Sequence, residues 1–295
     1  MVDIVEPRSD HAEQLYRLYR DTMEGVPHSR FVPSLARFRD ELLGLVPTPS
    51  LFTLPRERRL LVAEETGAAR GFACLTDYKN WDGNAHRAIT ALYFDTEQVG
   101  GALLAACEAA AGPGDLQAFP PEHANGPIPE CNAAWDGLSD RLPHVARLLV
   151  RAGYRPLCRE LHLTCDLRRF PPESTPVPAG IVIRDASEHR PSLVLQAVDG
   201  EQQAGDCYFS TLAPIYEDPR AGRIGYIWGL GVEEVYRRRG IARALMGGAL
   251  ARLVAEGCEA CWLTTGADNW AAQPLYQSLG FEVVDSSTCF GKTRV

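Results

Sequence analysis

No apolar run in this sequence approaches the roughly 20 residues needed to span a bilayer. Its start, MVDIVEPRSD, lacks a basic stretch followed by an apolar core. From these two absences we expect a cytoplasmic protein with no membrane partner. An excess of positive charge is missing too. Thirty Lys and Arg stand against 38 Asp and Glu, a net charge of −8, which argues against a general nucleic-acid binder. Cysteine is not dense enough for a small disulfide framework: there are nine, an odd number, scattered along the chain. The one CxxC, Cys258 and Cys261, has no second Cys pair or His pair at zinc spacing. We expect buried free thiols there and no metal.

What is present is ordinary globular material. The 295 residues are 45% hydrophobic and 23% charged, enough for two domains with sizeable cores. The clearest boundary is the stretch 166–180, DLRRFPPESTPVPAG, whose four prolines favour extended chain and mark a linker. It separates a first domain, 1–165, from a second, 181–295.

In the second domain, Ile181 to Arg184, Leu193 to Val198, Cys207 to Leu212 and Tyr226 to Val232 read as strands. Residues 213–225 read as a polar loop. From Gly240 to about Ala255 the period becomes helical, with Ile241, Leu245, Ala249 and Leu253 on one face. Ala260 to Thr265 returns to strand, Pro274 to Leu279 is a short helix, and Phe281 to Val284 and Thr288 to Lys292 end the chain as two strands. The first domain repeats this order. A strand at Ile4 to Glu6 precedes two helices, His11 to Thr22 and Ser34 to Leu45, and a hairpin turns at Thr66-Gly67. A strand from Ala88 to Phe94 then leads into an Ala-rich helix. Residues 112–142 read as loop; a helix over ARLLVRAGY and strands from Leu157 to Asp166 follow. The fold class is α/β (α+β): two tandem copies of a mixed, mostly antiparallel twisted sheet flanked by helices.

The chemistry concentrates in IWGLGVEEVYRRRGIARALM, residues 227–246. It is a strand, a turn rich in Arg and Gly, and the start of an amphipathic helix. Such a junction presents unpaired N–H groups and the positive end of a helix, which suits a phosphate. Gly229 and Gly231 supply GxG, but Glu234 stands where a dinucleotide fingerprint needs its third Gly. No Gly-Lys-Ser/Thr of a Walker loop is present in the segment either. Arg237, Arg238, Arg239 and Arg243 add positive charge, a feature that a solvated surface shares.

The segment resembles the coenzyme-A-binding motif of the GNAT superfamily of N-acetyltransferases, Arg/Gln-x-x-Gly-x-Gly/Ala, here Arg237-Arg238-Arg239-Gly240-Ile241-Ala242 after a strand ending in Val232. Downstream, NWAAQPLYQSLGFEVV resembles the family's second motif, with Asn269, Ala272, Leu275, Tyr276, Gly280 and Phe281 in register. The resemblance covers residues 181–295 and implies acetyl-CoA as co-substrate. It implies that backbone N–H groups from Arg238 to Arg243 hold a pyrophosphate, and that Leu230, Gly231 and Val232 pair with the pantetheine arm and polarise the thioester carbonyl. Asn269 would contact the cofactor arm. Tyr276 would be the general acid that protonates the departing thiolate. Pro274 departs from the motif's smoother versions and places the helix start near Gln273, which leaves the contact of Asn269 open.

The general base stays unassigned. The family's carboxylate position on the strand falls around Tyr226 to Trp228, none of which is acidic, and Glu201, Glu217, Asp218 and Glu233 are the carboxylates nearby. A water relay or an amine that arrives neutral would also serve. In the first domain the Arg-x-x-Gly turn is missing, Leu149 stands where Tyr276 would, and Leu142 where Asn269 would. We read residues 1–165 as a degenerate GNAT-like copy that completes the acceptor cleft, a tandem layout resembling mycothiol synthase in architecture alone.

Two functions are carried forward. The first is an N-acetyltransferase acting on an amine of a small molecule or peptide by direct attack in a ternary complex. The second is a non-catalytic acyl-CoA-binding or regulatory protein. Acyl transfer through Cys207 or Cys289 is a weaker third route, since neither has an evident His partner. The tandem layout suits a monomer that acts as a pseudo-dimer, or a homodimer.

Overall fold

The computed structural model describes residues 1–27, 31–45, 57–79, 85–120, 137–170, 175–187, 193–213 and 216–294. They fall into two compact units, residues 1–161 with 285–295, and residues 162–284. In order, the first half of the chain forms β1 (Val2–Val5), α1 (Ala12–Met23), α2 (Leu35–Leu42), β2 (Glu57–Glu65), β3 (Ala68–Lys79) and β4 (Ala85–Phe94). It continues through α3 (Glu97–Ala111), β5 (Gly114–Ala118), β6 (Leu138–Ser139), α4 (Pro143–Arg151) and β7 (Arg155–Asp166). The second half forms β8 (Ile181–Asp185), β9 (Leu193–Asp199), β10 (Gln202–Thr211), β11 (Ile224–Val232), α5 (Ile241–Ala255), β12 (Ala260–Gly266), α6 (Gln273–Ser278) and β13 (Glu282–Arg294).

In the first unit, β1 to β4 pair antiparallel in sequence order. The β2–β3 hairpin turns on Thr66 (φ 53°) and Gly67 (φ 81°), and positive φ at both central residues matches the strands' own twist. After α3 the chain returns as β5, parallel to β4 at Ala88 and Ile89. The core is aromatic: Phe38 packs on Phe72 at 5.9 Å and Phe72 on Tyr93 at 5.0 Å between ring centroids. These rings are buried, so truncating Phe72 to Ala would cost about 3–5 kcal/mol.

The second unit repeats the plan. β8, β9, β10 and β11 pair antiparallel, α5 follows, and β12 lies parallel to β11. One face of this sheet takes α5. Gly225 leaves room for Leu253, and Gly248 leaves room for Leu195. The two helices between β1 and β2 have no counterpart here, because only residues 186–192 join β8 to β9.

The structure corrects several sequence expectations. The end of the chain is one strand rather than two, because Asp285 and Ser287, which lie between the two expected strands, are buried. Ser139 donates to Asp285 at 2.6 Å, and Ser287 pairs with Ser139 in the ladder. A strand, β5, lies inside the stretch read as loop over 112–142; residues 121–136 of that stretch are outside the described residues. The division into 1–165 and 181–295 also differs from the compact units, since residues 285–295 belong with the first. The Pro-rich stretch 166–180 is not a free spacer where it is described. A methyl at Gly247 would meet the Thr175 side chain, and one at Gly240 would lie 3.7 Å from Pro178. Cys258 and Cys261 are free and buried, as expected, while a disulfide that the cysteine spacing did not suggest joins Cys158 to Cys289. Among the described residues no helix is long and apolar enough to cross a membrane.

Candidate active site

The turn between β11 and α5 is built by local conformation. Arg238 takes φ 65° and Gly240 φ 86°, both left-handed. Gly240 is followed directly by helical Ile241, and a left-handed residue next to a right-handed one points successive N–H groups into one concavity. Gly240 offers no side-chain cap, so the first N–H groups of α5 stay open to a ligand. The arginines frame this turn. Arg237 donates to the Val232 carbonyl at 3.1 Å, Arg239 donates to the Val235 carbonyl at 3.0 Å, and Arg243 donates to Ser278 at 2.5 Å. Arg237, Arg238, Arg239, Gly240 and Arg243 are exposed, Ala242 is half-buried, and Ile241 is buried as the helix's first apolar anchor.

The matching junction in the first unit is closed. There Thr96 caps α3 by accepting from the Val99 N–H at 3.3 Å, and Glu97 places negative charge in the first turn. A filled cap and an adjacent carboxylate disfavour an anion. Geometry thus separates two helices that occupy the same place in the repeated plan.

β11 and β12 pair from Ile224 with Ala260 to Ile227 with Leu263. β11 then runs five residues further, to Val232, and β12 three further, to Gly266, and among the described residues the two do not pair there. The backbone of Leu230, Gly231 and Val232 therefore offers a strand edge on that side, with Leu230 and Val232 half-buried and Gly231 exposed. An extended ligand arm can pair with it as a strand would.

Tyr276 lies in α6 and is only 7% exposed. Burial first, and then the neighbouring Cys207, push its phenol up to about 12. It therefore stays protonated through the physiological range. Its ring meets Phe281 edge-on at 6.0 Å. Asn269 is exposed in the turn before α6, and its side-chain N–H donates to Thr265 at 3.0 Å. The helix begins at Gln273 with Pro274 in its first turn, as the sequence implied.

A carboxylate that sequence reasoning passed over stands beside this edge. Asp206 on β10 pairs with Gly231 on β11, and a Cβ at Gly231 would lie 3.1 Å from Asp206 Oδ1. Its other oxygen, Oδ2, accepts from the Tyr208 hydroxyl and from Gln203, each at 3.0 Å. Gln203 accepts in turn from Gln196 at 3.3 Å, and Gln196 from Arg184 at 3.0 Å. Cross-strand partners share a face. Asp206 pairs with Gln196, whose neighbour Leu195 points at α5, so Asp206 and Gly231 lie on the face away from α5. Cys207, next along β10, points the other way.

The loop carboxylates fit a base less well. Arg220 grips Asp218 and holds its carboxyl below the usual range. Glu201, Glu217 and Glu233 are exposed. The thiol route has no support: Cys207 is buried, and burial followed by Asp206 pushes its thiol up to about 12, while Cys289 is in a disulfide.

Residues 157–281 match the acetyltransferase (GNAT) family. An acetyltransferase of Sodalis glossinidius is 39% identical over 74 residues, 25% of this chain and 52% of that protein. The N-alpha-acetyltransferase 30 of Saccharomyces cerevisiae is 34% identical over 92 residues, 31% of this chain and 52% of its own length. The chain thus spans about half the length of these curated relatives. Among solved structures, a tandem GNAT protein from the clavulanic acid biosynthesis pathway aligns over 99% of this chain and 98% of its own, at 16% identity and a TM-score of 0.66. A GCN5-related N-acetyltransferase from Sphaerobacter thermophilus aligns over 100% and 96%, at 17% identity and a TM-score of 0.63. These two show a shared fold.

Proposed function

We propose, from the match of residues 157–281 to the acetyltransferase (GNAT) family, that the second unit transfers an acetyl group from acetyl-CoA to an amine by direct attack in a ternary complex. The observation that carries this reading is the uncapped, left-handed start of α5 at the end of a strand whose edge is left open from Trp228 onward. These features suit the two ends of the co-substrate, an anionic pyrophosphate and an extended amide-bearing arm. The N–H groups of Gly240, Ile241 and Ala242 hold the pyrophosphate, and the exposed arginines around them add attraction without closing the turn.

Leu230, Gly231 and Val232 pair with the arm, and one of their N–H groups polarises the thioester carbonyl. Fixed donors aimed at a developing oxyanion are commonly the largest single contribution to such a step. Asn269 flanks the arm from the turn before α6. Tyr276 donates its proton to the departing thiolate; a phenol held neutral to about pH 12 is always in the form that this task needs. The acceptor is an amine of a small molecule or a peptide.

Isothermal calorimetry with acetyl-CoA, followed by a thiol-release assay over a panel of amines, tests the proposal. Binding together with amine-dependent thiol release is expected. Binding without release from any amine would favour a non-catalytic acyl-CoA-binding role, and absence of binding would overturn both.

A further inference from the structure

We infer that Asp206 receives the acceptor's amino group, and that the acceptor is a primary amine arriving as a cation on an apolar or aromatic body. This rests on the acyl-transfer reading above. Three observations carry it. The first is position: Oδ1 of Asp206 lies 3.1 Å from where a Cβ at Gly231 would be, and Gly231 belongs to the strand edge assigned above to the thioester arm. Glycine at 231 keeps that approach clear.

The second is how the carboxylate is held. Both of its protein hydrogen bonds, from Tyr208 and Gln203, go to Oδ2, while Oδ1 has no donor among the described residues. A carboxylate fixed through one oxygen and open at the other is preorganised for an incoming N–H donor. The chain of donors from Arg184 through Gln196 and Gln203 runs in one direction, toward Asp206, and holds Oδ2 in place. The third is the neighbourhood. Tyr208 and Trp228 lie with ring centroids 4.9 Å apart, beside the carboxylate through the Tyr208 hydroxyl. Aromatic rings next to a carboxylate suit a cation attached to an apolar body.

The step balances as follows. The ammonium gives one proton to Asp206 Oδ1, and the freed nitrogen lone pair forms the bond to the thioester carbon. The C–S bond breaks, with its electron pair leaving on sulfur, and the thiolate takes the Tyr276 proton. The nitrogen's surplus proton restores Tyr276, and Asp206 releases its proton to water. Asp206 opens away from α5.

The test uses the full chain with phenethylammonium chloride as the probe and indole emission as the signal. Trp228→Phe identifies the part of the signal that arises at the site. Wild type should give a saturable change, Asp206→Asn should bind at least tenfold more weakly, and neutral phenethyl alcohol should bind wild type no better than the variant does. Equal affinity of wild type and Asp206→Asn, equal affinity of wild type for the ammonium and the alcohol, or no response at all would each overturn the inference. The ammonium-to-alcohol comparison decides the matter in wild type even should the variant fail to fold. Acetyl-CoA calorimetry on the same sample reports on the underlying reading separately: binding that persists while the amine result fails removes only the role of Asp206.

Discussion

Asp206 and Gly231 face each other across the β10–β11 ladder, and the carboxylate oxygen fills space that any larger residue at 231 would contest at 3.1 Å. A methyl there need not disturb the strand, because Gly231 has no positive φ to protect. It would instead crowd the carboxylate and narrow the approach to the thioester. Gly231→Ala should therefore lower kcat/KM for an amine acceptor about tenfold, since small misplacements of reacting groups are costly. Acetyl-CoA affinity should stay within about threefold, given that the pyrophosphate site is untouched. Steady-state kinetics beside calorimetry check this split; a loss confined to acetyl-CoA binding would contradict it.

Tyr276→Phe removes one oxygen from a buried ring and leaves its edge contact with Phe281. Loss of a general acid should reduce kcat by about 100-fold or more. Acetyl-CoA binding should be unchanged. Turnover at the wild-type rate would remove the phenol from the mechanism.

The same phenol predicts a pH signature. Burial raises its value to about 12, so the folded state holds this proton where an unfolded tyrosine, near 10, would release it. Its contribution to stability is fully present below pH 10 and is lost as pH rises from there toward 12. Urea denaturation at pH 8, 10 and 11 should show wild type losing stability relative to Tyr276→Phe over the upper part of that range. Parallel curves for the two proteins would mean that the hydroxyl is solvated.

Gly240 is left-handed at φ 86° and begins α5 without a cap. A glutamate there would strain the backbone and set a negative charge against the pyrophosphate. Gly240→Glu should weaken acetyl-CoA binding beyond the range of calorimetry while the far-ultraviolet circular dichroism stays unchanged. Retained affinity would displace the pyrophosphate from this turn.

What the sequence disclosed followed from locality. The Arg237 to Arg243 turn and the Asn269 to Phe281 stretch are short, and their meaning depends on neighbours a few residues away. The hairpin at Thr66-Gly67 and the start of α6 at Gln273 were legible for the same reason. Asp206 was not. It meets Gly231 only through the register of two antiparallel strands separated by a long loop, and pairing register is not written in either strand alone. The continuity of β13 was hidden similarly, because the partner that satisfies Asp285, Ser139, lies 146 residues away in sequence.

Cys158 and Cys289 form a second long-range pair, with Cα atoms 5.4 Å apart and a separation of 131 in sequence. Both belong to the first unit, and the loop that they close contains all of residues 162–284. Cross-linking a loop of that length restricts the unfolded chain strongly, by up to about 5 kcal/mol in the chain-entropy account. Reduction, or the double change Cys158→Ser with Cys289→Ser, should lower Tm by several degrees. Neither residue lies on the α5 turn or the β11 edge, so acetyl-CoA affinity at 25 °C should be the same in both forms. Differential scanning calorimetry with and without reductant decides the first point and titration the second. An unchanged Tm would mean that the reduced chain holds β7 and β13 as firmly by their packing as by the bond.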